Sequence, residues 1–198
     1  MILYKLGLPL WAVIILLLPL LAFITLLDLA RVYNPEIANL VPSRTIFGLI
    51  LREHEKRAMS GSFWYLVGIQ VVLIATTVLV GSSLSHPLRE KAALSVLLLA
   101  FCDPAAAFVG KAFGGRVFPR IVRGKSVEGS LGAFLAGCIV TWIFFNWVAI
   151  PPISILPFSR TALCAGAVAA VAEMVQIGSM DDNLTIPIFS FIGLCAFL

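Results

Sequence analysis

The fold class predicted by this sequence is all-α, a polytopic bundle of transmembrane helices with about six spans. Of its 198 residues 61% are hydrophobic and only 12% charged, with a mean hydropathy of +1.05. That composition excludes an ordinary water-soluble globule. The apolar residues gather into runs close to the roughly 20 needed to cross a bilayer, and the basic residues gather in the segments between them. A single domain, residues 1–198, is the default for this length.

The first run, residues 8–27, contains Pro9 and Pro19 and lacks a small-residue cleavage site, so it reads as a span and not as a signal peptide. Residues 43–59 read as a helix lying along the membrane surface. Ser43 can cap it, Ile46, Phe47, Ile50 and Leu51 make an apolar side, and Glu53 stands four residues before Arg57. Runs at 64–80, 92–110, 131–150 and 161–177 supply four more spans, and a shorter one at 186–198 completes a thin crossing or marks a chain that stops early. Cys102, Cys138, Cys164 and Cys195 lie singly in apolar segments, without metal-ligand spacing, and read as small packing residues.

Six crossings place both termini on one side of the membrane. The segments after the first and third spans carry ten of the 14 lysines and arginines. By the positive-inside rule that side is cytoplasmic, and the termini lie opposite, as in a bacterial inner membrane or an ER-type membrane. Asp28, Glu55, Asp103, Lys125, Glu173, Asp181 and Asp182 then all fall at cytoplasmic ends of spans, where nucleotides are available.

The stretch from Asp103 to Ser130, DPAAAFVGKAFGGRVFPRIVRGKSVEGS, concentrates the chemistry. Asp103 stands inside an apolar run, and ionisable residues at such depth usually face the bundle interior or a wet cavity. Asp103, Ala106, Ala107 and Gly110 form a stripe of small residues, matched in the fifth span by Ala162, Gly166, Ala169 and Glu173. The expectation is that these two spans pack together, with Asp103 and Glu173 lining one cavity. The following loop holds Lys111, Gly114, Gly115, Arg116, Gly124, Lys125 and Ser126, with Glu128 just beyond. Glycines let backbone N–H groups approach phosphate oxygens, and lysine and arginine neutralise them. It is not a Walker loop, since position 119 is Pro119 where that pattern needs glycine. Adjacent Asp181 and Asp182 repel unless a cation intervenes, and their hard oxygens suit Mg²⁺ shared with substrate phosphates. Metal carboxylates, a basic glycine loop and a bilayer setting together describe phosphoryl transfer to a lipid alcohol, catalysed mainly by positioning and charge stabilisation. No nucleic-acid partner is expected.

On these residues the chain resembles the membrane-embedded, CTP-dependent lipid kinases, the group that includes phytol, farnesol and dolichol kinases and the yeast-type diacylglycerol kinase. The shared features are DLAR from Asp28, Arg52 to Glu55 followed by Gly61, the DPAAAFVGKAFGG run, GKSVEGS from Gly124, Glu173, and DDNLTIP from Asp181. The resemblance implies CTP as donor, a divalent ion, and a lipid hydroxyl as acceptor. It assigns Asp103, Gly110, Gly114, Lys125, Ser126, Glu128 and Gly129 to the nucleotide and phosphate site. Asp181, Asp182 and Asn183 would contribute metal or phosphate contacts, with Asp103 a third candidate metal ligand, and Arg52, Glu55 and Glu173 further contacts. Family members commonly carry one more span ahead of the first one here. Two other readings stay open: a cytidylyltransferase that makes a CDP-lipid, and a small transporter, because intramembrane carboxylates also mark ion paths.

Overall fold

A computed structural model describes residues 8–34, 58–81, 87–114, 125–148, 158–175 and 181–198. Six helices account for nearly all of them: α1 Leu10–Tyr33, α2 Gly61–Val80, α3 Pro87–Phe113, α4 Val127–Trp147, α5 Phe158–Met174 and α6 Asp182–Phe197. There is no strand element among the described residues. Helices are the only open-chain way to satisfy every backbone N–H and C=O inside a bilayer. The first four are long and apolar enough to cross one, and α6 is a shorter apolar helix. The expected surface helix at 43–59 falls almost entirely outside the described residues, and so do Arg52, Glu55, Gly115, Arg116 and Gly124.

Local signals set the helix ends. Ser60 caps α2, its hydroxyl accepting from the Phe63 N–H at 3.3 Å, and Gly81 ends that helix with a φ of 65° that glycine tolerates. Ser126 caps α4 through the Gly129 N–H at 3.1 Å, and Asp181 caps α6 through the Asn183 N–H at 2.9 Å. Pro19, Pro104 and Pro187 sit inside helices. Each removes a backbone donor, which membrane bundles tolerate where neighbours re-satisfy the carbonyl.

The core gathers Leu94, Leu98 and Cys102 of α3, Ala133, Val140 and Phe144 of α4, Ala165 and Ala169 of α5, and Leu194 of α6. Here the structure corrects the expected packing. The third and fifth spans touch each other only slightly, because α4 lies between them. Its glycines permit the closest approaches. A methyl group on Gly132 would stand 2.7 Å from Val109 Cγ2 of α3. One on Gly137 would stand 2.9 Å from the Gly166 Cα and 3.2 Å from the Ala169 Cβ of α5. The small residues do make close contacts, but Ala106 and Gly110 of α3 and Gly166 and Ala169 of α5 make them with α4 or its cap. Adding volume to such a contact forces backbones apart at a cost of about 1–3 kcal/mol. Gly137→Ala is therefore expected to lower the unfolding temperature of the detergent-solubilised protein, and an unchanged transition would contradict this packing.

Helix α1 flanks the bundle on α2. Leu10 packs with Ile69 and Leu73, and the buried Gln70 donates to the Ile14 carbonyl at 3.1 Å. Its outer face exposes Ile15, Leu16, Phe23 and Leu26, a surface that fits lipid and not water.

Candidate active site at one end of the bundle

Alternation of helix direction brings the end of α3, the starts of α4 and α6, and the end of α5 to the same end of the bundle. Lys125 precedes the α4 cap in extended backbone and carries its ammonium between two other elements. Nζ lies 3.4 Å from Oε1 of Glu173 in the last turn of α5 and 3.3 Å from Oδ2 of Asp182 at the start of α6. It also donates to the Glu173 backbone carbonyl. Three oxygens thus surround the ammonium, one through a hydrogen bond and two as ion-pair partners. The second oxygen of Glu173 accepts from the Ser130 hydroxyl at 3.0 Å. Side-chain exposure falls from 28% at Asp182 to 16% at Lys125 and 10% at Glu173. Asp182 is thus the most accessible member, and Glu173 the anchored one.

This arrangement answers the question raised by the adjacent carboxylates. Asp181 and Asp182 divide the work: Asp181 Oδ1 accepts from both the backbone N–H and the side-chain amide of Asn183, at 2.9 and 2.8 Å, while Asp182 faces Lys125. The counter-charge that the α5–α6 segment lacks in sequence comes from the segment before α4. Among the described residues no three His, Cys, Asp or Glu side chains cluster as a metal cage, so Asp103 does not join Asp181 and Asp182 in a protein-only three-carboxylate site. Asp103 itself is half-buried on α3, ten residues before its end at Phe113, about 15 Å along the axis. The helix runs almost a turn beyond the span expected from hydropathy.

The glycines assigned to phosphate binding have a packing role that sequence alone did not reveal. A methyl group on Gly110 would lie 3.2 Å from the Ser126 Oγ, one on Gly114 2.6 Å from it, and one on Gly129 3.2 Å from it and 3.0 Å from the Ala106 carbonyl. These three residues close the end of α3 onto the capped start of α4, which fixes where Lys125 emerges. Glu128 is buried in the first turn of α4, where a carboxylate complements the helix dipole. Lys111 is exposed in the last turn of α3, the end that favours a cation.

On the other side of the site, Gly68 of α2 lets α6 begin where it does: a methyl group there would stand 2.8 Å from both the Asn183 carbonyl and Pro187 Cγ. A second buried polar cluster joins α1 to α2 at this end. Asp28 accepts from the Ser60 N–H and hydroxyl, both at 2.8 Å, and from Arg31 at 3.0 Å, and Arg31 also donates to the Ala58 carbonyl at 2.7 Å. Ser60 was not singled out from the sequence, although a serine ahead of an apolar run is a recognisable cap signal. Ser130, the partner of Glu173, gave no signal beyond its place in the GKSVEGS run.

The apolar helices define an integral membrane protein, and its sequence matches the family model described as the cytidylyltransferase family over residues 3–180, so the chain belongs to that family. Its curated relatives are more specific. The chain is 34% identical over 168 residues to the CTP-dependent diacylglycerol kinase 1 of Schizosaccharomyces pombe, an alignment covering 82% of this chain and 71% of that protein. It is 31% identical over 185 residues to the CTP-dependent diacylglycerol kinase 1 of Saccharomyces cerevisiae and 32% over 183 residues to that of Eremothecium gossypii. Each alignment covers 85% of this chain, but only 59% and 53% of the two relatives. No solved structure matches the chain.

Proposed function

We propose that this chain is a CTP-dependent lipid kinase that moves the terminal phosphate of CTP to the hydroxyl of a membrane lipid alcohol, with diacylglycerol as the first acceptor to test. The observation that carries the reading is the meeting of Lys125, Glu173 and Asp182, drawn from three elements, beside the N-termini of α4 and α6. Helix N-termini favour phosphate oxygens, and a lysine among them supplies a point charge. The relatives' names favour transfer of phosphate over transfer of a cytidylyl group.

In the reaction the bond between the terminal phosphorus and the CDP oxygen breaks, a bond from that phosphorus to the lipid oxygen forms, and the hydroxyl proton passes to a base. Catalysis of this kind rests on positioning and on charge placed where it develops. Lys125 already faces two carboxylates, so an incoming triphosphate competes with them for the ammonium and displaces one. The more exposed Asp182 yields, and Glu173, held by Ser130, continues to orient the ammonium. The displaced Asp182, with Asp181 beside it, would hold a Mg²⁺ ion shared with the nucleotide phosphates. Such an ion needs only one or two protein carboxylates, which fits this donor set, and it would neutralise charge on the transferring group. Glu128, in the first turn of α4, and Asp103, about 15 Å deeper along α3, are proposed to line the nucleotide site with Gly110, Gly114 and Gly129. The ten-to-four distribution of basic residues supports a cytoplasmic orientation for this end.

The test is a panel of diacylglycerol, phytol and polyprenol presented in mixed micelles to the purified protein, with Mg²⁺ and either CTP or ATP. The expected result is a phosphorylated lipid formed faster with CTP. Absence of any phosphorylated lipid with either nucleotide would contradict the reading.

A further inference from the structure

Arg31 is 6% exposed, and its hydrogen bonds are incompletely met. A guanidinium has five N–H donors. Nη2 uses its two on Asp28 and the Ala58 carbonyl, while Nε and Nη1 are buried with no hydrogen-bond partner among the described residues. Three donors on a charged, buried group are thus left without acceptors among the described residues. Unmet hydrogen bonds of this type cost more than bonds never offered, above all for a charged group. Asp28 does not relieve the deficit, because Ser60 already saturates its other oxygen through two 2.8 Å bonds. The pair is held rigidly on one side and open in donors on the other.

We infer that Arg31 is an anion-binding residue that takes a phosphate group, apart from the Lys125 cluster. Guanidinium N–H groups match the several oxygens of a phosphate better than a single carbonyl does. The position suits such a ligand. Ser60, bonded to Asp28, is eight residues from Gly68, against which α6 starts, so the Arg31 cluster lies about 12 Å along α2 from the start of α6. Two sources offer the same chemistry there: the phosphates of the nucleotide, and the headgroup of a phosphorylated lipid. The inference rests on the kinase reading for the choice of probes, but its test uses binding and not turnover, so the two can fail separately.

The full chain in neutral detergent is titrated separately with pyrophosphate, with a short-chain phosphatidate and with the uncharged diacylglycerol of the same chain length. Binding is followed by thermal unfolding and by the ¹⁵N side-chain spectrum of the arginines. At least one phosphate probe is expected to raise the unfolding temperature and to shift the Arg31 Nε–H resonance. In Arg31→Gln its apparent Kd should weaken by about tenfold or more, the usual scale for a charge-assisted hydrogen bond, and Arg31→Lys should recover only part of that loss. A response to phosphatidate alone assigns the site to the lipid headgroup, and a response to pyrophosphate assigns it to the nucleotide side. Should Arg31→Gln fail to fold, the wild-type spectrum decides, with Arg31→Lys assigning the resonance. An Arg31 resonance that moves with neither phosphate probe, or only with diacylglycerol, overturns the inference.

Discussion

Replacing Lys125 by alanine is expected to reduce phosphoryl transfer by at least about 10²–10³-fold, the loss typical when one fixed donor to developing charge is removed. The reason lies in its setting: no other lysine or arginine among the described residues is held between Glu173 and Asp182. Part of the loss would fall on binding, because the nucleotide phosphates lose a cation, so KM for CTP should rise as kcat falls. A methionine in its place keeps the stem's packing while removing the charge, and Lys125→Met should be as inactive as Lys125→Ala though better folded. Activity within a few-fold of wild type in either variant, measured as phosphorylated lipid per minute at saturating CTP, would remove Lys125 from the site.

Asp182→Asn is expected to have the second largest effect, and of a different kind. In the resting structure the substitution relieves Lys125 of one competitor, so CTP should bind at least as tightly as before, measured in the absence of divalent ion. Once the triphosphate is seated, the asparagine is a poorer ligand for Mg²⁺ than a carboxylate, so the Mg²⁺ concentration for half-maximal rate should rise and kcat should fall by about 10²-fold. Opposite signs in the two measurements distinguish a carboxylate that changes partners from one that merely holds α6 in place. Weaker CTP binding without metal, together with an unaltered Mg²⁺ requirement, would contradict the exchange.

The helices were legible in the sequence because a bilayer leaves the backbone little choice. Every apolar run long enough to span became a helix, with ends shifted by a few residues where polar caps such as Ser60 and Asp181 set the start. The partnership of Lys125 with Glu173 and Asp182 was not legible, since it joins residues 48 and 57 positions apart through the order in which helices pack. That order turned on α4. Its glycines at 129, 132 and 137 sit on faces turned toward α3 and α5, but within a run of otherwise apolar residues they gave little contrast, and the more regular stripes on α3 and α5 suggested direct contact. The glycine-rich loop shows a related ambiguity: close backbone approach looks the same in sequence whether the neighbour is a phosphate or a helix, and Gly110, Gly114 and Gly129 all approach Ser126. The Asp28–Arg31 pair could be read as polar, yet only the structure revealed that Ser60 completes it and that Arg31 keeps donors without acceptors among the described residues.

Membership in a family described as cytidylyltransferases, with relatives named as kinases, places the decision on which bond of CTP is broken. Attack of a lipid hydroxyl on the terminal phosphorus releases CDP and leaves a phosphorylated lipid, whereas attack of a lipid phosphate on the innermost phosphorus releases pyrophosphate and leaves a CDP-lipid. The most direct measurement supplies the purified protein with diacylglycerol and phosphatidate together, in the presence of Mg²⁺ and CTP labelled in parallel at the terminal phosphate and at the cytosine. The kinase account predicts terminal label in the lipid fraction and cytosine label recovered as CDP. Cytosine label in the lipid fraction, accompanied by labelled pyrophosphate, would contradict it.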